Sequence, residues 1–139
     1  MKSHLLLIGA VLLLSLCLTL GIIAQVVEIP DNNLRAALES ALGKNAGDAI
    51  TDVELVGLKE LIVDAGYPWD PILPEEELVK DLTGLEYCTG LQRLTLKNHQ
   101  LSDISAVANL NNLTDLTLGY NQVSDISPLA NLTNLTFLD

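Results

Sequence analysis

From Leu91 onward the sequence repeats itself every 22 residues. Residues 91–101 read L-Q-R-L-T-L-K-N-H-Q-L, residues 113–123 read L-T-D-L-T-L-G-Y-N-Q-V, and a third copy, L-T-F-L-D, begins at Leu135. The segments between them agree as well: S-D-I-S-A-V-A-N-L-N-N from Ser102 and S-D-I-S-P-L-A-N-L-T-N from Ser124. A fixed period of this length means that one supersecondary unit is used repeatedly. Within the unit, Leu94 and Leu96 alternate with Thr95, the two-residue period of a strand with one buried face. The chain then turns at Asn121 and returns through a loop or short helix carrying Ile126, Leu129 and Leu132. No single unit can bury these side chains alone. Stacking places Leu94 on Leu116 on Leu138 and builds one continuous core.

The pattern L-x-x-L-x-L-x-x-N-x-L is that of leucine-rich repeats. It predicts an α/β fold: a leucine-rich-repeat solenoid with a short parallel β-sheet on its concave face. Asn121 stands where the backbone leaves the strand. Its amide is expected to satisfy backbone groups that would otherwise cost about 1–3 kcal/mol each if buried unpaired. His99 holds that place in the preceding repeat, so a ring nitrogen is expected to replace the amide. His99 and Asn121 are thus read as a structural ladder. The pattern places no Ser, Cys or carboxylate beside His99 for catalysis. Cys88 aligns with Leu110 and Leu132 and is expected in the core. Asn112, Asn131 and Asn134 each open an N-L-T triplet, which fits a glycosylation acceptor and also fits the repeat.

Upstream of the repeats, Asp31 can cap a helix running to about Leu42, with Leu34, Ala37, Leu38, Ala41 and Leu42 on one face and Gly43 as a stop. Thr51 and Glu54 form a capping-box pattern for a second short helix near Asp52 to Leu55. Leu58, Leu61 and Val63 then match the first three repeat positions. From Leu58 to Leu91 is 33 residues, one period plus 11, and the surplus falls at about 66–77, G-Y-P-W-D-P-I-L-P-E-E-E. Pro68, Pro71 and Pro74 argue against a regular strand there. Tyr67 and Trp69 in this insertion suit an exposed binding loop, or Trp69 folds back over the core of the helical segment.

The first residues are of a different kind. Lys2 and His4 precede an apolar run from Leu5 to Ala24 that is broken only by Gly9, Ser15, Thr19 and Gly21. Residues 1–24 fit a signal peptide cut after Ala24, or an uncleaved membrane anchor. Either reading puts the remaining chain outside the cytoplasm, as a secreted or cell-surface protein. Membrane contact would run only through residues 5–24, and only if they are retained. Cys17 invites a lipoprotein reading, but Leu16 stands where a small residue is needed. All 18 acidic residues follow residue 24, and the chain's net charge is −11. A duplex nucleic-acid partner, which needs clustered Lys and Arg, is excluded on charge. The expected division is 1–24 leader or anchor, 25–57 helical N-terminal cap, and 58–139 repeats, with the final repeat cut short.

Four stretches together resemble internalin-type leucine-rich-repeat proteins: I-P-D-N-N-L-R-A-A-L from Ile29, I-T-D-V-E-L from Ile50, D-L-T-G-L-E-Y-C-T-G-L from Asp81, and S-D-I-S-P-L-A-N-L-T-N-L-T from Ser124. The resemblance covers nearly everything after Glu28. It implies an α-helical N-terminal cap, a curved solenoid, a secreted or surface-attached protein, and a protein ligand bound on the concave face.

Strand alternation points Arg93, Thr95 and Lys97 outward, then Asp115, Thr117 and Gly119, then Phe137 and Asp139. Glu60, Ile62 and Asp64 are their equivalents upstream. These rows are read either as surface charge pairs or as a recognition face of Arg93, Thr95, Lys97, Asp115, Thr117, Tyr120 and Phe137. The strand edge at 135–139 offers a second contact, pairing with another copy. No metal-spaced cluster, phosphate loop or nucleophile–base pair is present in the pattern. No cofactor and no catalysis are expected. The functional reading is a protein-interaction module, the alternative a cap or spacer of a longer surface protein.

Overall fold

A computed structural model of the chain describes residues 23–66 and 73–139. The expected leader at 1–24 lies almost wholly outside the described residues, as do Tyr67 and Trp69 of the insertion.

Residues 25–27 run beside 50–52: the Val27 amide donates to the Ile50 carbonyl and the Asp52 amide to the Gln25 carbonyl, each at 2.9 Å. Helix α1 spans Asn32–Ala41 and is capped by Asp31, whose carboxylate accepts from the amides of Asn33 and Leu34. Leu34 and Leu38 are fully buried, Ala37 and Leu42 partly so. Ala41, expected on the same face, is exposed. Each buried leucine contributes on the order of 1.5–3 kcal/mol. Helix α2, Asp52–Gly57, starts from a capping box in which the Thr51 hydroxyl accepts from the Glu54 amide and the Glu54 carboxylate accepts from the Thr51 amide. Both helices precede the sheet, and α1 packs beside its first strand.

The sheet has four parallel strands in chain order: β1 Glu60–Asp64, β2 Arg93–Lys97, β3 Asp115–Thr117 and β4 Phe137–Leu138. Sequential parallel pairing without a crossover is what a solenoid requires, since each coil touches only its neighbours. The fold is an α/β leucine-rich-repeat solenoid. The return segments form single 3-10 turns at Leu85–Tyr87, Ser105–Val107 and Ser127–Leu129. Asp81, Asp103 and Asp125 each accept from the amide two residues ahead, at or just before these turns.

The core is a set of columns spaced 22 residues apart. Leu85 stacks with Val107 and Leu129, Cys88 with Leu110 and Leu132, and Leu91 with Leu113 and Leu135. Val79, Leu101 and Val123 form another column, so the period resumes at Val79 and the insertion falls between the end of β1 and that residue. Burial falls in the last described coil. Ile126 there is 63% exposed, whereas its equivalents Leu82 and Ile104 are 4% and 1% exposed.

Candidate functional site

The strand register builds the outward face. Glu60 pairs with Arg93, Arg93 with Asp115 and Asp115 with Phe137; Ile62, Thr95 and Thr117 form the next row, and Asp64 lies beside Lys97. The alternate residues Leu61, Leu94, Leu96 and Leu116 are buried. Four strands at about 4.8 Å spacing make a face roughly 14 Å across. Its charges are partly matched internally. Arg93 Nε lies 3.1 Å from Glu60 Oε1, an exposed pair of the kind that contributes about 0–1 kcal/mol. The Thr114 hydroxyl donates to Asp115 at 2.6 Å, and Asp64 accepts from the Gly66 amide at 2.9 Å. Two large apolar side chains remain open on this face: Ile62 and Phe137, 62% and 52% exposed.

Tyr120 lies past the end of β3, in the turn, and not in a strand row. Its φ is +59°, as is nearly that of its equivalent Asn98 at +61°. This left-handed backbone is uncommon for a tyrosine. It holds the ring beside β2, where Lys97 Nζ sits 5.5 Å from the ring centroid, within cation–π range.

Beneath the face runs the polar ladder. Asn121 Oδ1 accepts from the amides of His99 and Leu101, both at 3.0 Å, and its Nδ2 donates to the carbonyls of Leu96 and Leu118 at 2.6 and 2.8 Å. His99 does equivalent work one coil earlier. Its Nδ1 accepts from the Val79 amide at 3.2 Å, and its Nε2 lies 3.0 Å from the Val63 carbonyl. An amide can only donate and a carbonyl only accept, so Nε2 carries the proton and Nδ1 is bare. Val79 and Leu101 are equivalent, and Val63 pairs with Leu96 in the sheet. The 11-residue insertion therefore falls between the two groups that the imidazole joins. The ring is 2% exposed. Burial holds His99 below the ordinary imidazole range, against the Val63 carbonyl, Asp64 and Asp31, which favour the charged form.

The comparisons agree with this geometry. A solved internalin, InlF from Listeria monocytogenes, superposes with a TM-score of 0.67 at 35% identity over 79% of this chain. This is an internalin-type leucine-rich-repeat chain. A second internalin of that organism, InlC2, matches 78% of the chain at 28% identity with a TM-score of 0.53. The functional domain of its InlJ, described as including a cysteine ladder, matches the fold at 24% identity with a TM-score of 0.65 over 83% of the chain. The chain spans 29%, 54% and 24% of the lengths of these three structures. No family model matches the chain, and no curated protein does.

Other features of this internalin-type chain were less visible in its sequence. Asp31 reaches beyond its own helix: its second oxygen accepts from the amides of Lys80 and Asp81 at 2.8 and 3.1 Å. Asn33 donates to the carbonyls of Glu76 and Leu78. Glu39, on α1, is buried; it pairs with Arg35 at 2.9 Å and accepts from the Gly47 amide. Cys88 is buried as a free thiol, which burial and the nearby Glu86 push up to about 12. Away from the sheet face, an open cleft of about 610 Å³ is lined by Lys80, Asp81, Thr83, Glu86, Asp103 and Ser105 among others. Among the described residues no cluster of His, Cys, Asp and Glu could hold a metal ion. Among the same residues no helix is long and apolar enough to cross a membrane.

Proposed function

We propose that this chain is an extracytoplasmic protein-interaction module without catalytic activity, binding a protein partner on the outward, concave face of its sheet. Arg93, Thr95, Lys97, Asp115, Thr117, Tyr120 and Phe137 are the contact residues of this reading, with Tyr67 and Trp69 at its margin. Residues 1–24 act as an export signal or anchor, 25–57 as the cap, and 58–139 as the repeat body. One observation carries the proposal. The register sets an open apolar side chain at each side of the face, Ile62 and Phe137, with a threonine row and matched charges nearby. Interface cores combine apolar anchors with a polar surround in this way. The family resemblance supports it.

A photo-reactive residue at Thr95 tests the reading, with the same residue at Ser105 as the control on the return segment. The full chain is displayed on cells and offered to a surface-protein mixture. Cross-linking to one partner from position 95 and none from 105 supports it. Cross-linking only from 105 overturns it. The open edge at β4 is a second proposed contact, between copies of this chain. Light scattering that stays monomeric over a wide concentration range rejects that contact.

A further inference from the structure

Residues 76–81, just before the second coil, are held by side chains from two directions. Three consecutive amides have titratable partners: Val79 donates to His99 Nδ1, and Lys80 and Asp81 donate to Asp31 Oδ2. The carbonyls of Glu76 and Leu78 accept from Asn33. Leu78, Val79 and Leu82 are buried, the last two within the main hydrophobic core.

His99 holds the Val79 amide only when Nδ1 is unprotonated, and Asp31 holds its amides more weakly once a proton occupies one of its oxygens. A proton on His99 Nδ1 would set an N–H against the Val79 N–H at 3.2 Å, two donors with no acceptor between them. The charged groups facing the imidazole are Asp64 at the end of β1 and Asp31 ahead of α1. Both are carboxylates, so neither opposes proton uptake once the ring gains water. Lys80, next to Val79, is turned to solvent and pairs with Glu75. One coil further on, the same ladder position is Asn121, whose amide does not titrate.

We propose that His99 and Asp31 form an acid-released latch on residues 76–81: proton uptake at His99 frees Val79 first, Asp31 follows at lower pH, and the stacked coils beyond stay folded. His99 titrates first because an imidazole takes a proton near pH 6.5 when exposed and a carboxylate only near 3.9. The sign follows from linkage. The folded ring binds protons less readily than the released one, so opening is favoured as pH falls below about 6.5. The segment thereby exposed is apolar, which makes the device a way of uncovering Leu78, Val79 and Leu82 on acidification. The latch does not depend on the binding reading.

Amide hydrogen exchange on the full chain, corrected for intrinsic exchange, tests it between pH 7.5 and 5.0. Opening at Val79 should rise by up to about tenfold per pH unit, the limit for one proton, while Lys80 and Asp81, still held by the Asp31 carboxylate, keep their protection over this range. Exchange at Leu101, held by Asn121, should not change. His99→Asn keeps an acceptor and a donor at the position and should abolish the pH dependence at Val79. Equal protection at both pH values, or wild-type pH dependence in His99→Asn, overturns the latch. Should that variant not fold, NMR of the wild-type imidazole decides. An Nε2–H tautomer whose titration coincides with loss of Val79 protection supports the latch; a titration with no such loss overturns it.

Discussion

The carboxylate of Asp31 stands 2.8 Å from the backbone nitrogen of Lys80, a residue 49 positions further along the chain. The same side chain caps α1 through the amides of Asn33 and Leu34. One carboxylate thus joins the first helix to the segment that enters the second coil. Burial alone would raise its pKa, but four backbone amides outweigh that and hold it below the usual range. Asp31→Ala is expected to cost about 2–3 kcal/mol, from a lost cap and two further amides left without a charged acceptor. Urea denaturation of wild type and variant at pH 7 measures this.

The same residue predicts an acid limb of stability. A carboxyl whose folded pKa is depressed contributes stability above its unfolded value, about 3.9, and loses it as pH falls through the folded value. Wild-type stability should therefore decline below about pH 4, and the decline should be shallower in Asp31→Ala. A pH series of denaturation midpoints checks both slopes.

Asn121 joins four backbone groups of two coils, so Asn121→Ala strands two donors and two acceptors in a part-buried site. At about 1–3 kcal/mol for each group left unsatisfied, a loss of at least about 3 kcal/mol is expected. Asn121→Asp should recover little of it. A carboxylate can still accept from His99 and Leu101, but it faces the carbonyls of Leu96 and Leu118 with no proton to give. Thermal unfolding of the two variants separates these effects.

Gly90 occupies the position held by Asn112 and Asn134 in the later coils. A Cβ there would lie 2.0 Å from the Val56 carbonyl oxygen at the end of α2. Gly90→Ala must push α2 off the first coil, at a cost of about 1–3 kcal/mol or more. Gly119→Ala meets only the carboxylate end of Asp139, at 3.3 Å, and should be tolerated. Melting temperatures of the pair give the contrast.

Cys88 is fully buried and its thiol is pushed up to about 12. Thiolate is the reactive species. Alkylation at pH 8 should therefore modify Cys88 only as fast as the chain opens, and rapidly in denaturant. Peptide mapping distinguishes it from Cys17. Fast native modification of Cys88 would show that this coil is not packed as described.

The leucine columns were legible because the 22-residue period repeats their positions and because strand alternation separates buried Leu94 and Leu96 from outward Thr95. The outward rows followed from the same alignment: Leu58, Leu61 and Val63 against Leu91, Leu94 and Leu96 fixes Glu60 beside Arg93 despite the insertion. His99 could be read as an imidazole in an amide's place. Its partners could not be named, because one lies on each side of the insertion. Asp31 showed itself only as a helix cap. Its grip on Lys80 spans 49 residues with no periodicity to mark it. The burial of Glu39 was hidden for a similar reason, since a charged helix residue reads as solvated until Arg35 and the Gly47 amide are placed around it. Gly90 did leave a signal: a glycine where the later coils carry asparagine.

Hydroxyl-radical footprinting of the full chain, with and without the protein cross-linked at Thr95, tests whether the outward sheet face is the partner surface. Ile62, Tyr120 and Phe137 are open on or beside this face, while Tyr87 and Ile126 are open elsewhere. Binding on the outward face should cost the first three their reactivity in the complex and leave the other two unchanged. Protection of Tyr87 and Ile126, with Ile62, Tyr120 and Phe137 still reactive, would contradict it.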